Sequence, residues 1–351
     1  MMVLLASASC SREEEIRAEM PFSLCLPANE VYLPNLSPRR MIGDPGTVER
    51  FALPAHAYII ILRDLGTGWE VYRCMEETLT EEDWQLDVYG GIYETEGNAI
   101  YRCMKRMEIL LNDKGVNQRV YAVASSVPLT FSKTFSTSAI QTIDDVLELK
   151  IDMSSQETRE AVANIYSTPY NYNRPGTSTY YCSFTSPKVS SHASLDLLLY
   201  HIAAKVDIKW NVEEDKRINK EHPEEAVRLT YMQARNLFAG NAYCFKPMRN
   251  VSPAVSSSEA SIVAANDDEG KWWEGRSYFY TIPYTVEGTP DYFPLQMTLR
   301  TNGSTTGTGY QPTLNLEIDT SSVFVPWLRA NFNLSAPLED KTETIEVMNN
   351  E

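Results

Sequence analysis

Between Met20 and Pro34 the chain reads MPFSLCLPANEVYLP, with Phe22, Leu24 and Leu26 at alternate positions. A period of two predicts a strand with one face in a core and the other in water. HAYIIILRDLGTGWEVYRCM, from His56, predicts a hairpin: a buried strand over 58–62, a turn at Gly66-Thr67-Gly68 and a second strand over 69–74. RVYAVASSVPLTF predicts another strand. AKVDIKWNV carries the clearest alternation, with Val206, Ile208, Trp210 and Val212 against Lys205, Asp207, Lys209 and Asn211. RSYFYTIPYTVEG alternates in the same way. LQMTLRTNGSTTGTGYQPTLNLEI predicts two strands around an Asn-Gly-rich loop. SSVFVPWLRANFNL predicts a last strand, where Pro326 argues for an edge or a bulge.

Helical signals are few and short. Thr80 precedes Glu81, Glu82 and Asp83, an N-cap followed by carboxylates that suit the helix dipole. SSQETREAVANIY predicts a second short helix capped by Ser154 or Ser155. Many short strands, few helices and regular turn signals predict an all-β chain built as two β-sandwiches. The polar stretch TSPKVSSHAS places the boundary between them near residue 190. From Pro337 the tail is polar and acidic, with a short strand expected at 344–348. Tyr-Arg-Cys-Met occurs at 72–75 and again at 101–104, which reads as coincidence and not as a repeat unit.

Composition narrows the function. The chain has 351 residues, enough for two domains of ordinary size, and 43% of them are hydrophobic, enough for a core. Its formal net charge of -16 disfavours nucleic acid, whose binding needs Lys and Arg to neutralise phosphates. The six cysteines follow no regular spacing and form no CxxC, so most are expected to be buried thiols. His56, His192, His201 and His222 form no HExxH, and no GxSxG or GxxxxGK occurs. Carboxylates lie in solvated runs. The expectation is therefore no enzyme, no metal site and no cofactor. His201, in LLLYHIAAK, reads as a core or interface histidine.

In NDDEGKWWEGRSYFY, Asn266, Asp267, Asp268 and Glu269 lack the alternating ligand spacing of a calcium loop and read as an acidic surface turn. Trp272 and Trp273 have two readings. They are an aromatic platform for sugar rings, or one fills the core while the other is exposed.

The N-terminus MVLLASASCSREEE is a short apolar run ending in small residues and Cys10, then Ser11, Arg12 and three glutamates. The run is too short to span a bilayer. It resembles a bacterial lipoprotein signal, in which cleavage leaves an acylated cysteine; Ala8 and Ser9 fit, and Ser7 departs from the usual larger apolar residue. The missing positive n-region is expected if the signal extends upstream. Ser-Arg-Glu-Glu-Glu resembles the acidic export signal of surface lipoproteins in Bacteroidetes. The plainer reading is a polar tail with a chance cysteine.

Taken with RRMIGDPGTVERFALP, IYSTPYNY, LLLYHIAAKVDIKWNV and WWEGRSYFYTIPY, this start resembles the Bacteroidales fimbrillin superfamily, the subunits and anchors of type V pili. The resemblance is nearest to the minor anchor or accessory lipoproteins. It implies two tandem transthyretin-like Greek-key β-sandwich domains: residues 1–21 as signal and acidic tether, 22–189 and 190–336 as sandwiches, 337–351 as tail. It implies lipid attachment at Cys10, a place at the surface of the outer membrane, and other fimbrial subunits as partners, joined by β-strand addition. Host or bacterial surface ligands are further partners it allows. Arg39 and Arg40 stand where an arginine-specific protease cuts stalk subunits of that family; beside Pro38 they also read as a basic turn. The alternative to a fimbrial role is a surface lipoprotein that binds glycans through an aromatic platform near Trp272–Tyr284, with Trp272 and Trp273 as its sugar contacts.

Overall fold

The structure, a computed structural model, describes residues 16–27, 52–87, 100–111, 116–168, 183–186, 195–211, 228–238, 240–251, 258–262, 274–286, 292–293, 296–302, 341–344 and 347–348. It is all-β. The first eleven strands are β1 (Ile16–Pro27), β2 (His56–Asp64), β3 (Trp69–Thr78), β4 (Trp84–Asp87), β5 (Ile100–Leu111), β6 (Val116–Ser125), β7 (Lys150–Ile151), β8 (Ile165–Ser167), β9 (Ser183–Ser186), β10 (Leu195–Leu198) and β11 (Tyr200–His201). Two one-turn helices intervene, α1 (Ile143–Leu147) and α2 (Gln156–Glu160). The segment after Thr80 is a single 3-10 turn, Glu81–Asp83, because Trp84 at once enters β4.

Two sheets face each other. One has the order β10-β1-β5-β4; the other has β11-β8-β6-β2-β3, with β9 also on β6. The second sheet explains the unbroken run of β2. Ala57, Ile59 and Ile61 face the first sheet, while Tyr58, Ile60 and Leu62 face the opposite way, and all six are buried. A strand covered on both faces has no use for polar positions. In register, Ile59 meets Ala122 and Ala57 meets Ala124, so small residues of β6 leave room for the layer from the first sheet.

The far face of the second sheet is covered by the segment that carries the two helices, through Leu129, Ile140, Val146, Leu149, Ile151 and Met153. Tyr58 ties it down. Its hydroxyl accepts from the Leu129 amide at 2.8 Å, and its ring meets Phe131 edge-on with centroids 4.8 Å apart. Thr142 caps α1, accepting from the Asp145 amide at 3.2 Å, while Asp145 accepts from the Thr142 amide at 3.0 Å. The β2–β3 turn closes with a Leu65 amide to Gly68 carbonyl bond of 3.0 Å and places Gly66 at φ +77°, a left-handed conformation.

The remaining strands are β12 (Ala204–Asn211), β13 (Arg228–Leu237), β14 (Ala242–Tyr243), β15 (Met248–Val251), β16 (Ser258–Ile262), β17 (Glu274–Thr281), β18 (Tyr284–Val286), β19 (Tyr292–Phe293), β20 (Gln296–Asn302), β21 (Lys341–Thr344) and β22 (Val347–Met348). They pair as β12-β17, β16-β13-β20-β21, β15-β18 and β19-β22. The strands expected at AKVDIKWNV and RSYFYTIPY are therefore partners of one another. The strand expected within SSVFVPWLRANFNL lies outside the described residues.

The two groups of strands share contacts. β14 pairs with β7. Phe238, Phe245, Ile282 and Tyr284 belong to the same buried cluster as Tyr58 and Ile151. At this junction the Tyr243 ring lies between Lys246 and Lys150, whose ammonium nitrogens are 4.1 and 4.5 Å from its centroid. Its hydroxyl donates to Glu148 at 3.1 Å, and Lys246 pairs with the same carboxylate.

Candidate functional site

Cys10, Arg39, Arg40, Trp272 and Trp273 all lie outside the described residues, as do Asn266–Glu269, His192 and His222. What the structure describes is the element that lies between Cys10 and the arginines. Residues 11–15 separate Cys10 from β1, and β1 ends before the segment that holds Arg39 and Arg40.

β1 is an inner strand. Along its whole length it pairs antiparallel with β5, from Ile16 opposite Leu111 to Pro27 opposite Ile100. Over Phe22 to Cys25 it also pairs in parallel with β10. Phe22, Leu24 and Leu26 enter the core between the sheets with no exposure. The other face, read from alternation as facing water, is covered too. Ser23 and Cys25 are buried, and Cys25 joins Ile100, Leu198 and Tyr200 in a small cluster on that side. A strand placed between two others gains cover on its outer face from the side chains of both neighbours, which periodicity along one segment does not register.

That cover is partly ionic. Arg102, opposite Cys25 on β5, pairs with Asp196, opposite Ser23 on β10, and lies 3.6 Å from Asp87 on β4. One guanidinium thus connects three strands of the sheet and crosses β1 to do so. No feature of the sequence marks these three residues as a set; only the small Ser23 and Cys25 between larger residues hint at an overlying contact.

The end of the sheet is held by Asp83, whose carboxylate accepts from Lys105 at 2.9 Å, from the Thr80 amide at 2.8 Å and from its hydroxyl at 2.9 Å. The Lys105 ammonium and then the Thr80 donors hold the Asp83 carboxyl down to a pKa of about 2. Trp84 donates from Nε1 to the Pro54 carbonyl at 3.1 Å. Cys103, beneath Leu24, is a free thiol pushed up to about 11 by burial, an inert core residue and not a nucleophile. Cys25 and Cys244 are buried thiols as well.

His201 is a core histidine: its Nδ1 is 2.8 Å from the Ala163 carbonyl and its ring lies 4.4 Å from that of Tyr166. Among the described residues no three His, Cys, Asp or Glu side chains gather as metal ligands. No described helix is long and apolar enough to cross a membrane.

Burying Phe22, Leu24 and Leu26 contributes roughly 5–9 kcal/mol, at about 1.5–3 kcal/mol per large apolar side chain. That is comparable to the whole stability of an ordinary domain. The slot between β5 and β10 is filled by β1.

No family model and no curated protein matches the chain. Among solved structures it is similar to the tip fimbrial protein Mfa3 from Porphyromonas gingivalis with C-terminal truncation, at 9% identity and a TM-score of 0.41, covering 95% of this chain and 100% of that one. It is also similar to a proposed cell adhesion protein from Parabacteroides distasonis, at 13% identity and a TM-score of 0.40, covering 85% and 79%. A fimbrial assembly protein from the same organism gives 10% identity and a TM-score of 0.36, covering 83% and 100%.

Proposed function

We propose that the chain is a cell-surface lipoprotein that acts as a fimbrial anchor or accessory subunit and assembles with other subunits by β-strand addition. The observation that carries the reading is β1, a strand paired on both sides with only residues 11–15 between it and Cys10. With Cys10 acylated, the membrane tether would run straight into the sheet, and pulling on it would load the hydrogen bonds of β5 and β10 and three buried side chains. An anchor needs that mechanical continuity.

The same geometry supports the strand-addition part of the proposal. If the link carrying Arg39 and Arg40 were cut, β1 would be held by non-covalent contacts only, and its slot would accept an extended segment of another subunit. Backbone bonds to β5 and β10 would give affinity, and alternate side chains in the pockets of Phe22, Leu24 and Leu26 would give register. An uncut chain keeps the slot filled from within and so ends a fibre. The division into sandwiches over 22–189 and 190–336 belongs to the same proposal, with β10 and β11 joining the second part to the first.

Mass spectrometry of the protein isolated from its native membrane tests this. The expected result is acylated Cys10 on a chain that is intact across Arg39 and Arg40. A stalk subunit would instead begin after Arg39 or Arg40, and an unmodified Cys10 in an uncut chain would refute the lipoprotein reading.

A further inference from the structure

We propose that the Arg102–Asp196 ion pair is a size filter on the slot: a strand accepted between β5 and β10 must carry small residues at the two outward positions that Ser23 and Cys25 hold. This rests on the reading of the slot as the place of strand addition once the link behind β1 is cut; in an uncut chain the same filter acts on β1 itself. The occupant it selects is an extended segment of another polypeptide with the alternation large–small–large–small–large, running parallel to β10 and antiparallel to β5.

Neighbouring strands of a sheet are about 4.8 Å apart, so β5 and β10 on either side of β1 are separated by roughly 9–10 Å. Paired residues of neighbouring strands project to the same face. Arg102 shares the outward face with Cys25, and Asp196 shares it with Ser23. For the two charges to meet, the guanidinium has to lie flat over the middle strand. Ser23 and Cys25 are short enough to pass beneath it, and both are buried although they face away from the main core.

A leucine at either place would occupy the volume of the Arg102 side chain. The pair would then separate, leaving the partly buried Asp196 carboxylate without the guanidinium and Arg102 with Asp87 alone, or the strand would be refused. The inward pockets ask only for large apolar groups, which many strands supply. The outward pair is what distinguishes one alternating strand from another.

The test uses the full chain with the recognition site of a sequence-specific protease placed between residues 28 and 51, cut after folding. A fluorescent peptide of residues 16–27 is added, alongside versions carrying Ser23→Leu or Cys25→Leu, and binding is followed by anisotropy. Entry of the unaltered peptide is expected, with the two leucine versions about tenfold weaker or more, as overpacking of a tight site implies. On an Arg102→Ala/Asp196→Ala chain the discrimination should fall to about threefold or less, and the Asp196→Asn chain should fall between the two. If the leucine peptides bind the chain with its ion pair intact as well as the unaltered one does, the filter is refuted while the slot stands. If no peptide enters a folded, cut chain whose own N-terminal segment has been released, the slot reading is refuted and the filter with it. The peptide series on the unaltered chain decides the matter even if the Ala variants do not fold.

Discussion

Leu24 is the residue through which the placement of β1 is most directly weighed. It has no exposure, sits opposite Cys103 on β5 and Leu197 on β10, and packs in the cluster that includes Ile59 and Ile61. Leu24→Ala removes the transfer energy of the lost methyl groups and leaves a cavity. Ladders on both sides keep the flanking strands from closing in, so the cost belongs in the middle or upper part of the range for such changes, about 3–4 kcal/mol. For a unit of this size that is a fall in Tm of roughly 6–15 °C. Urea unfolding followed by tryptophan fluorescence reads it as a lower midpoint at an unchanged slope. Leu65→Ala is the control: Leu65 is 53% exposed in the β2–β3 turn, and its loss should cost less than about 0.5 kcal/mol. If Leu24→Ala cost no more than Leu65→Ala, β1 would not be embedded in the sheet, and the reasoning from its slot would fail.

Other consequences follow from single residues. Asp83 has a folded pKa of about 2 against an ordinary value of about 3.9, so its contribution is complete above pH ~4 and lost as the pH falls towards ~2; Asp83→Asn should lower the Tm at neutral pH and not at pH ~2. Gly66→Ala should cost about 1 kcal/mol by thermal melting, because a side chain there meets open space but the backbone is left-handed; Gly66→Asn should cost less. Cys25, Cys103 and Cys244, buried thiols in the folded chain, should resist maleimide at pH 8, with Cys25 becoming reactive when β1 leaves its slot.

Much of the fold was legible in the residues. The run over 58–62 with Gly66-Thr67-Gly68 led to β2 and β3, where local pattern and tertiary burial agree, and the alternation over 204–212 led to β12. β1 was legible as a strand but not as one buried on both faces. Its outer cover comes from residues far along the chain, Leu198 and Asp196 among them. α1 was missed although Thr142 and Asp145 form a capping pair; one turn of helix is too short for a periodic signal. The ionic crossing by Arg102 was invisible for the same reason as the outer cover, since a pair set by strand order has no spacing in sequence.

Amide hydrogen exchange on the chain before and after removal of residues 1–40 tests the central claim most directly. In the intact chain the amides of β1, β5 and β10 are expected to exchange together as one protected unit. Once the segment is removed, β5 and β10 should lose protection, and a strand added to the slot should restore it. Undiminished protection of β5 and β10 after β1 has gone would contradict the account, because it would mean that the sheet does not depend on the strand that follows Cys10.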